Sequence, residues 1–117
     1  MANTRVDGLI VSNTALVSQE VAEVCGATAG LVPTVGTVYG GISGPPLRAP
    51  STACLARLHQ LTQASRLPLI GVGGVDSGEA AAEKLAAGAS LVQLYTGIAY
   101  HGLPLARKVV RELAEQI

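Results

Sequence analysis

Four short stretches of the chain carry residue types that could do chemistry. Ser12-Asn13-Thr14 sets a hydroxyl, an amide and a second hydroxyl side by side, a donor and acceptor set suited to a polar planar ring bearing carboxylate and carbonyl groups. The same trio also suits a cap or an Asx turn, and the sequence leaves both open. "GVGGVDSGEAA" contains Gly73-Gly74 just ahead of a helix pattern, and "LYTGIAYHG" repeats that plan around Tyr95 and Thr96. Loops of this kind offer backbone N–H groups and a positive dipole end to an anion such as a phosphate. "YGGISGPPL", with Ser43 and Gly44 near its centre, has almost no side chain, which suits either a turn at positive φ or close backbone approach to a ligand. No Ser-His-Asp set, carboxylate pair or metal-ligand cluster is legible. His59 sits amid Leu and Arg in a helix pattern and reads as a surface residue; His101 precedes Gly102-Leu103-Pro104 and reads as a turn residue.

The elements that must position these stretches are visible as periodicity. Gly8–Val11, Leu67–Val72 and Ser90–Leu94 are continuous apolar runs, as parallel strands covered on both faces would be. Between the last two lies a helix pattern with Asp76 as cap, Glu79 three residues on, Ala81 and Leu85 on one face and Gly88 as stop. A second helix is predicted from about Ser51 to Ala64, with Leu55, Leu58 and Leu61 or Thr62 on one side. A last one begins at Pro104, with Ala106, Val109, Val110, Leu113 and Ile117 inward and Lys108–Glu112 and Arg111–Glu115 as outer pairs. The order β, long loop, α, β, α, β, short helix or turn, α describes an α/β unit, either half of an eight-stranded barrel or a minimal open sheet. Ligands of parallel α/β folds gather at the C-terminal ends of strands, where all the polar stretches fall. From about residue 15 to 42 runs an apolar, Gly/Thr-rich connection, longer than a structureless loop should be, which reads either as an active-site lid or as partly disordered.

Bulk properties narrow the partners. With 117 residues, 49% hydrophobic and 14% charged, the chain has the make-up of one globular domain. Eight basic residues balance eight acidic ones, which argues against binding nucleic acid by counterion release. Arg107, Lys108 and Arg111 read as the solvated face of the last helix. Without Trp or Phe, the core must be built from small aliphatic contacts. Cys25 and Cys54 form no metal or redox motif and read as reduced thiols. No apolar run approaches the roughly 18 residues of a membrane span, and residues 1–20 lack a signal-peptide pattern.

Taken together, "DGLIVSNT", "YGGISGPPL", "LPLIGVGGVDSGEAAAEKLAAGASLVQLYTG" and the closing helix resemble the C-terminal part of the dihydroorotate dehydrogenase family, in its quinone-linked class. The resemblance implies the last three strands of a TIM (β/α)8 barrel that carries FMN, with residues 1–117 as one partial FMN-binding domain. It implies Ser12 against FMN, with Asn13 and Thr14 hydrogen-bonding dihydroorotate or orotate. It also implies a cradle for the FMN phosphate from Ser43, Gly44, Gly73, Gly74 and the amides of Tyr95 and Thr96. The implied reaction is oxidation of dihydroorotate to orotate, with FMN reoxidised by ubiquinone, in UMP synthesis. The serine base and the N-terminal helical domain that meets ubiquinone and the membrane (mitochondrial inner, or bacterial cytoplasmic) belong to parts of the family sequence not matched here. The fragment is therefore expected to be inactive alone, and to self-associate through open sheet edges. Residues 15–38 fall outside the resemblance, and Ala15 stands where the family usually has a second threonine. Two rivals are another FMN-dependent barrel oxidoreductase and a non-catalytic half-barrel that serves as a binding module.

Overall fold

The three apolar runs pair as their spacing predicts. A computed structural model describes residues 5–16 and 41–116. Along them run β1 (Leu9–Val11), β2 (Ala15–Leu16), β3 (Gly41–Ile42), a 3-10 turn at Pro45–Leu47, α1 (Arg48–Thr62), β4 (Leu69–Val72), α2 (Gly78–Ala86), β5 (Leu91–Gln93), α3 (Thr96–His101) and α4 (Pro104–Ala114). The long strands form a parallel sheet in the order β1-β4-β5, with Ile10 opposite Ile70 and Ile70 opposite Leu91. Both neighbours of β4 are reached through connections that carry a helix, as parallel pairing requires.

Among the described residues only one face of this sheet is covered, which differs from the expectation of strands buried on both sides. Val11 and Leu69 point toward α1 and are buried with Leu55 and Ala89. Ile10 and Leu91 point the other way and are 62% and 63% exposed. A continuous apolar run thus records two faces that each want cover, and among the described residues only the helices supply it. That is the geometry of a sector of a barrel, with helices outside and the strands' inner face open. A second apolar cluster joins Val75, Ala80 and Ala81 to Leu105 and Val109 of α4.

The helices depart from the predicted faces in instructive ways. Helix α1 starts at Arg48, ahead of the expected Ser51, because Pro50 falls within the first turn, where a missing N–H costs nothing. Its Leu61 is 65% exposed while Thr62 turns inward and donates to the Leu58 carbonyl at 2.8 Å. In α4 the buried residues are Leu105 and Val109, with Val110 and Ala106 outside. The Lys108–Glu112 pair is present at 3.5 Å. Ile117 lies outside the described residues.

Helix α2 is capped by Ser77 rather than Asp76: Ser77 Oγ accepts from the Ala80 N–H at 3.2 Å. Gly88 follows its last turn at φ 104°, as the stop signal implied. The first amide of α2, Gly78 N–H, donates to Glu112 Oε2 of α4 at 2.8 Å, and this bond holds the Glu112 carboxyl below its usual range. Gly78 is needed there because a Cβ would stand 2.7 Å from the Leu113 backbone nitrogen. Ser77→Ala is expected to destabilise the fold by about 1 kcal/mol, read as a lower urea midpoint with an unchanged slope, whereas Asp76→Ala should leave the midpoint where it is.

The connection expected over residues 15–42 begins and ends in structure. β2 and β3 pair antiparallel, Ala15 opposite Ile42 and Leu16 opposite Gly41. Strands of two residues are too short to show alternation, so nothing in the sequence announced them. Residues 17–40 lie outside the described residues, and with them Cys25 and the Tyr39-Gly40 start of the glycine motif.

Candidate functional site

Ser12, Asn13, Thr14, Ser43, Gly44, Gly73, Gly74, Tyr95 and Thr96 all line one cleft of about 450 Å3 at the C-terminal ends of β1, β4 and β5. They come from four loops far apart in sequence, and the parallel sheet is what gathers them.

One wall of the cleft is backbone. Gly44 (φ 84°), Gly73 (φ 114°) and Gly74 (φ 67°) all occupy the left-handed half of conformational space. The Leu47 N–H donates to the Gly44 carbonyl at 3.0 Å and closes the turn that leads into α1. Gly73 and Gly74 lie against that same helix start. A Cβ on Gly73 would stand 2.7 Å from Ser51 Oγ, and one on Gly74 would stand 2.6 Å from the Arg48 nitrogen. Across the cleft, Thr96 Oγ1 bonds Ser43 Oγ at 2.9 Å, and a Cβ on Gly44 would meet Thr96 Cγ2 at 3.2 Å. The Ser43–Gly44 loop and the start of α3 are thereby locked together. The first-turn amides of Thr96 and Gly97 have no acceptor within α3.

The start of α2 does not contribute in the way its sequence suggested. Glu112 already takes the Gly78 amide, so the positive end of that helix is neutralised by the protein's own carboxylate. The glycine pair faces the cleft; the helix behind it does not present a free end. In the polar trio, Asn13 Oδ1 accepts from the Thr14 N–H at 2.8 Å and Ser12 Oγ donates to the Asn13 carbonyl at 3.3 Å. Both bonds go to the adjacent residue, so neither an Asx turn nor a helix cap is formed, and all three side chains line the cleft.

Sequence reasoning missed several lining residues. Gln93, Asp76, Tyr100 and His101 also border the cleft. Gln93 was the legible one, since a lone amide near the mouth end of an apolar strand has little structural reason to be there. His101 is the exposed last residue of α3 rather than part of a turn. His59 is half-buried, its ring set where a Cβ on Gly88 would be, which corrects its surface placement.

Behind the glycine wall sits the least expected residue. Lys84 of α2 is 0% exposed, and Nζ donates to the Arg48 carbonyl (3.1 Å), Ser51 Oγ (2.5 Å) and Thr52 Oγ1 (2.6 Å). Three donors meet three acceptors, so the ammonium is fully satisfied. Burial pushes its pKa down to about 8, with Glu83 opposing and Arg48 reinforcing the shift. Ser51 Oγ in turn reaches the Leu47 carbonyl at 2.5 Å and the Gly73 carbonyl at 3.3 Å. Gly71 makes the room, since a Cβ there would press on Lys84 Cβ at 3.0 Å. Outside this network Arg48 forks onto Glu83 at 2.9 and 2.8 Å and reaches Glu79 at 3.4 Å. These contacts raise the Arg48 pKa and lower that of Glu83. Among the described residues no group of metal-ligating side chains occurs, and no helix is long and apolar enough to cross a membrane.

Comparison with known proteins agrees with the partial α/β barrel. The family model described as dihydroorotate dehydrogenase matches residues 1–117. The mitochondrial quinone-linked dihydroorotate dehydrogenase of Mus musculus is 47% identical over 108 residues, covering 92% of this chain and 25% of the mouse protein. The quinone-linked enzyme of Pectobacterium carotovorum is 44% identical over 110 residues, 29% of its length. Among solved structures, the Eimeria tenella enzyme in complex with ferulenol superimposes with a TM-score of 0.74 at 34% identity, covering 94% of this chain and 27% of that one. The chain thus spans between a quarter and a third of the length of these relatives. With a partial α/β barrel, a cleft at its strand ends and these relatives in agreement, the chain belongs to the dihydroorotate dehydrogenase family.

Proposed function

We propose that this chain supplies the phosphate-holding wall and two substrate ligands of a quinone-linked dihydroorotate dehydrogenase. The observation that carries this reading is the convergence of nine separately predicted residues on one cleft with a wall of backbone. A wall of backbone fits the FMN phosphate: the positive φ of Gly44, Gly73 and Gly74 sets the chain along the cleft, and the first-turn amides of Thr96 and Gly97 have no acceptor among the described residues. Ser12 and Ser43 add hydroxyls at the edges. A flavin bound here would supply the hydride-accepting ring for oxidation of dihydroorotate to orotate. The chain's own residues bind and orient. Thr14 offers a hydroxyl and Asn13 the NH2 of its amide to the carbonyl and carboxylate oxygens of the pyrimidine. The base that removes a proton from the ring carbon is assigned to other strands of a whole barrel. Ubiquinone and the membrane, in mitochondria or bacteria, are likewise assigned to the N-terminal part of the whole enzyme. The open sheet face around Ile10 and Leu91 is expected to make the isolated chain self-associate.

The alternative of a different FMN barrel differs in its substrate. Flavin titration should show FMN binding, and orotate should bind the FMN-loaded chain at least tenfold better than uracil or thymine. Asn13→Ala with Thr14→Ala should remove that preference and leave FMN affinity intact. Supplied with FMN, dihydroorotate and a quinone analogue, the 117-residue chain should form no orotate; turnover seen in the orotate absorbance would refute the division of labour.

A further inference from the structure

We propose that Lys84 is a hidden cation that makes the glycine wall of the cleft selective for an anion, acting through its charge from behind the wall. The inference rests on reading the cleft as a flavin phosphate site. Its ground is the arrangement around Nζ: three neutral oxygens hold the ammonium, no described carboxylate touches it, and Ser51 Oγ stands between it and the Gly73 carbonyl. Glu83 offsets this charge only from a distance and shares its carboxylate with Arg48, so in a low-dielectric interior much of the ammonium's field is left unscreened.

Local stability does not explain its presence. Lys84 lies against the first turn of α1, at the positive end of that helix's dipole, where a cation is disfavoured. The oxygens do not need it either. Without the ammonium, Ser51 still donates to the Leu47 carbonyl and Thr52 Oγ1 still donates to the Arg48 carbonyl at 2.6 Å. Buried charges of this kind are often replaced by apolar residues without loss of stability, so Lys84→Met is expected to fold.

An anion in the cleft should favour the charged form of Lys84, and loss of that proton should weaken the anion's hold. Other charged and titratable groups face the region: Arg48 on α1, Glu79 and Glu83 on α2, and Asp76, Tyr95, Tyr100 and His101 around the cleft. The test therefore compares wild type with Lys84→Met, which share all of these. Flavin fluorescence gives the affinities of FMN and of riboflavin, which lacks the phosphate, at pH 7.5 and pH 9.5, where the FMN phosphate is already fully ionised. Wild type should prefer FMN at pH 7.5, and the preference should shrink about tenfold at pH 9.5. Lys84→Met should show the smaller preference at both pH values, with riboflavin affinity unchanged. A merely structural lysine would alter both flavins alike and give no pH step. An unchanged FMN preference in Lys84→Met, or a pH step that persists in it, overturns the proposal. Should Lys84→Met fail to fold, a flat wild-type FMN-to-riboflavin ratio across the two pH values overturns it equally. If wild type binds neither flavin, the flavin reading itself fails and inorganic phosphate decides: it must shift the Gly74 and Thr96 amide resonances of wild type at pH 7.5 and lose that effect at pH 9.5.

Discussion

Gly74→Ala is expected to remove flavin binding and to lower stability by about 3 kcal/mol, in the range reached by strained backbone and core defects. Two costs combine. At φ 67° a side chain enters the left-handed region, which costs about 1–2 kcal/mol for an ordinary residue. The new Cβ would also stand 2.6 Å from the Arg48 nitrogen and 2.8 Å from its Cα, both main-chain atoms that cannot rotate away. Relief requires α1 to retreat at the point where Arg48 N–H closes the 3-10 turn on the Pro45 carbonyl. That retreat moves Gly44 and Gly73 as well. Urea unfolding reads the first effect and flavin fluorescence the second. A variant with a native midpoint and native FMN affinity would show that the wall does not depend on this contact.

The second large effect is a pH dependence of stability that runs opposite to the usual alkaline loss. Lys84 titrates near pH 8 in the folded chain against an ordinary value of 10.5. Below about pH 8 both states carry the proton, and the folded chain bears the cost of burying the charge. Between about pH 8 and 10.5 the unfolded chain binds more protons than the folded one, so stability rises with pH. The full gain should amount to between about 1 and 3 kcal/mol. Urea midpoints from pH 7 to 10 check it: they should climb in wild type and stay level in Lys84→Met, which at pH 7 should already match the high-pH midpoint. Midpoints that fall in parallel in both chains would mean that Lys84 is not titrating in this window. Glu112 and Glu83 act at the other end of the scale. Both carboxyls are held below their usual range, so what they contribute is present above the ordinary carboxylate pKa and is lost as acid protonates them.

Much of the site could be read from the sequence because its parts are local. A strand end followed by Ser-Asn-Thr or Gly-Gly is a contiguous signal, and the parallel topology guarantees that such ends converge. What escaped was long-range or depended on an absent neighbour. Lys84 meets Thr52 and Arg48 across 32 and 36 residues, and no periodicity distinguishes it from a surface lysine beside Glu83. The choice of Ser77 over Asp76 as cap turned on where the chain leaves Val75, which adjacent candidates cannot reveal. Occupation of the α2 end by Glu112 followed from the docking of α4. Exposure of Ile10 and Leu91 was hidden because an apolar strand reads the same whether or not its second face is covered.

The short β2–β3 pair has a consequence for how this protein can vary. By fastening residues 15–16 to 41–42, it fixes both ends of the intervening segment at the rim of the cleft. Thr14 and Ser43 then keep their places whatever lies between. A connection between two ends fastened in this way tolerates a change of length, since doubling a loop costs only about 0.6 kcal/mol. The rim beside Thr14 and Ser43 is thus a place where length can change while the glycine wall keeps its position.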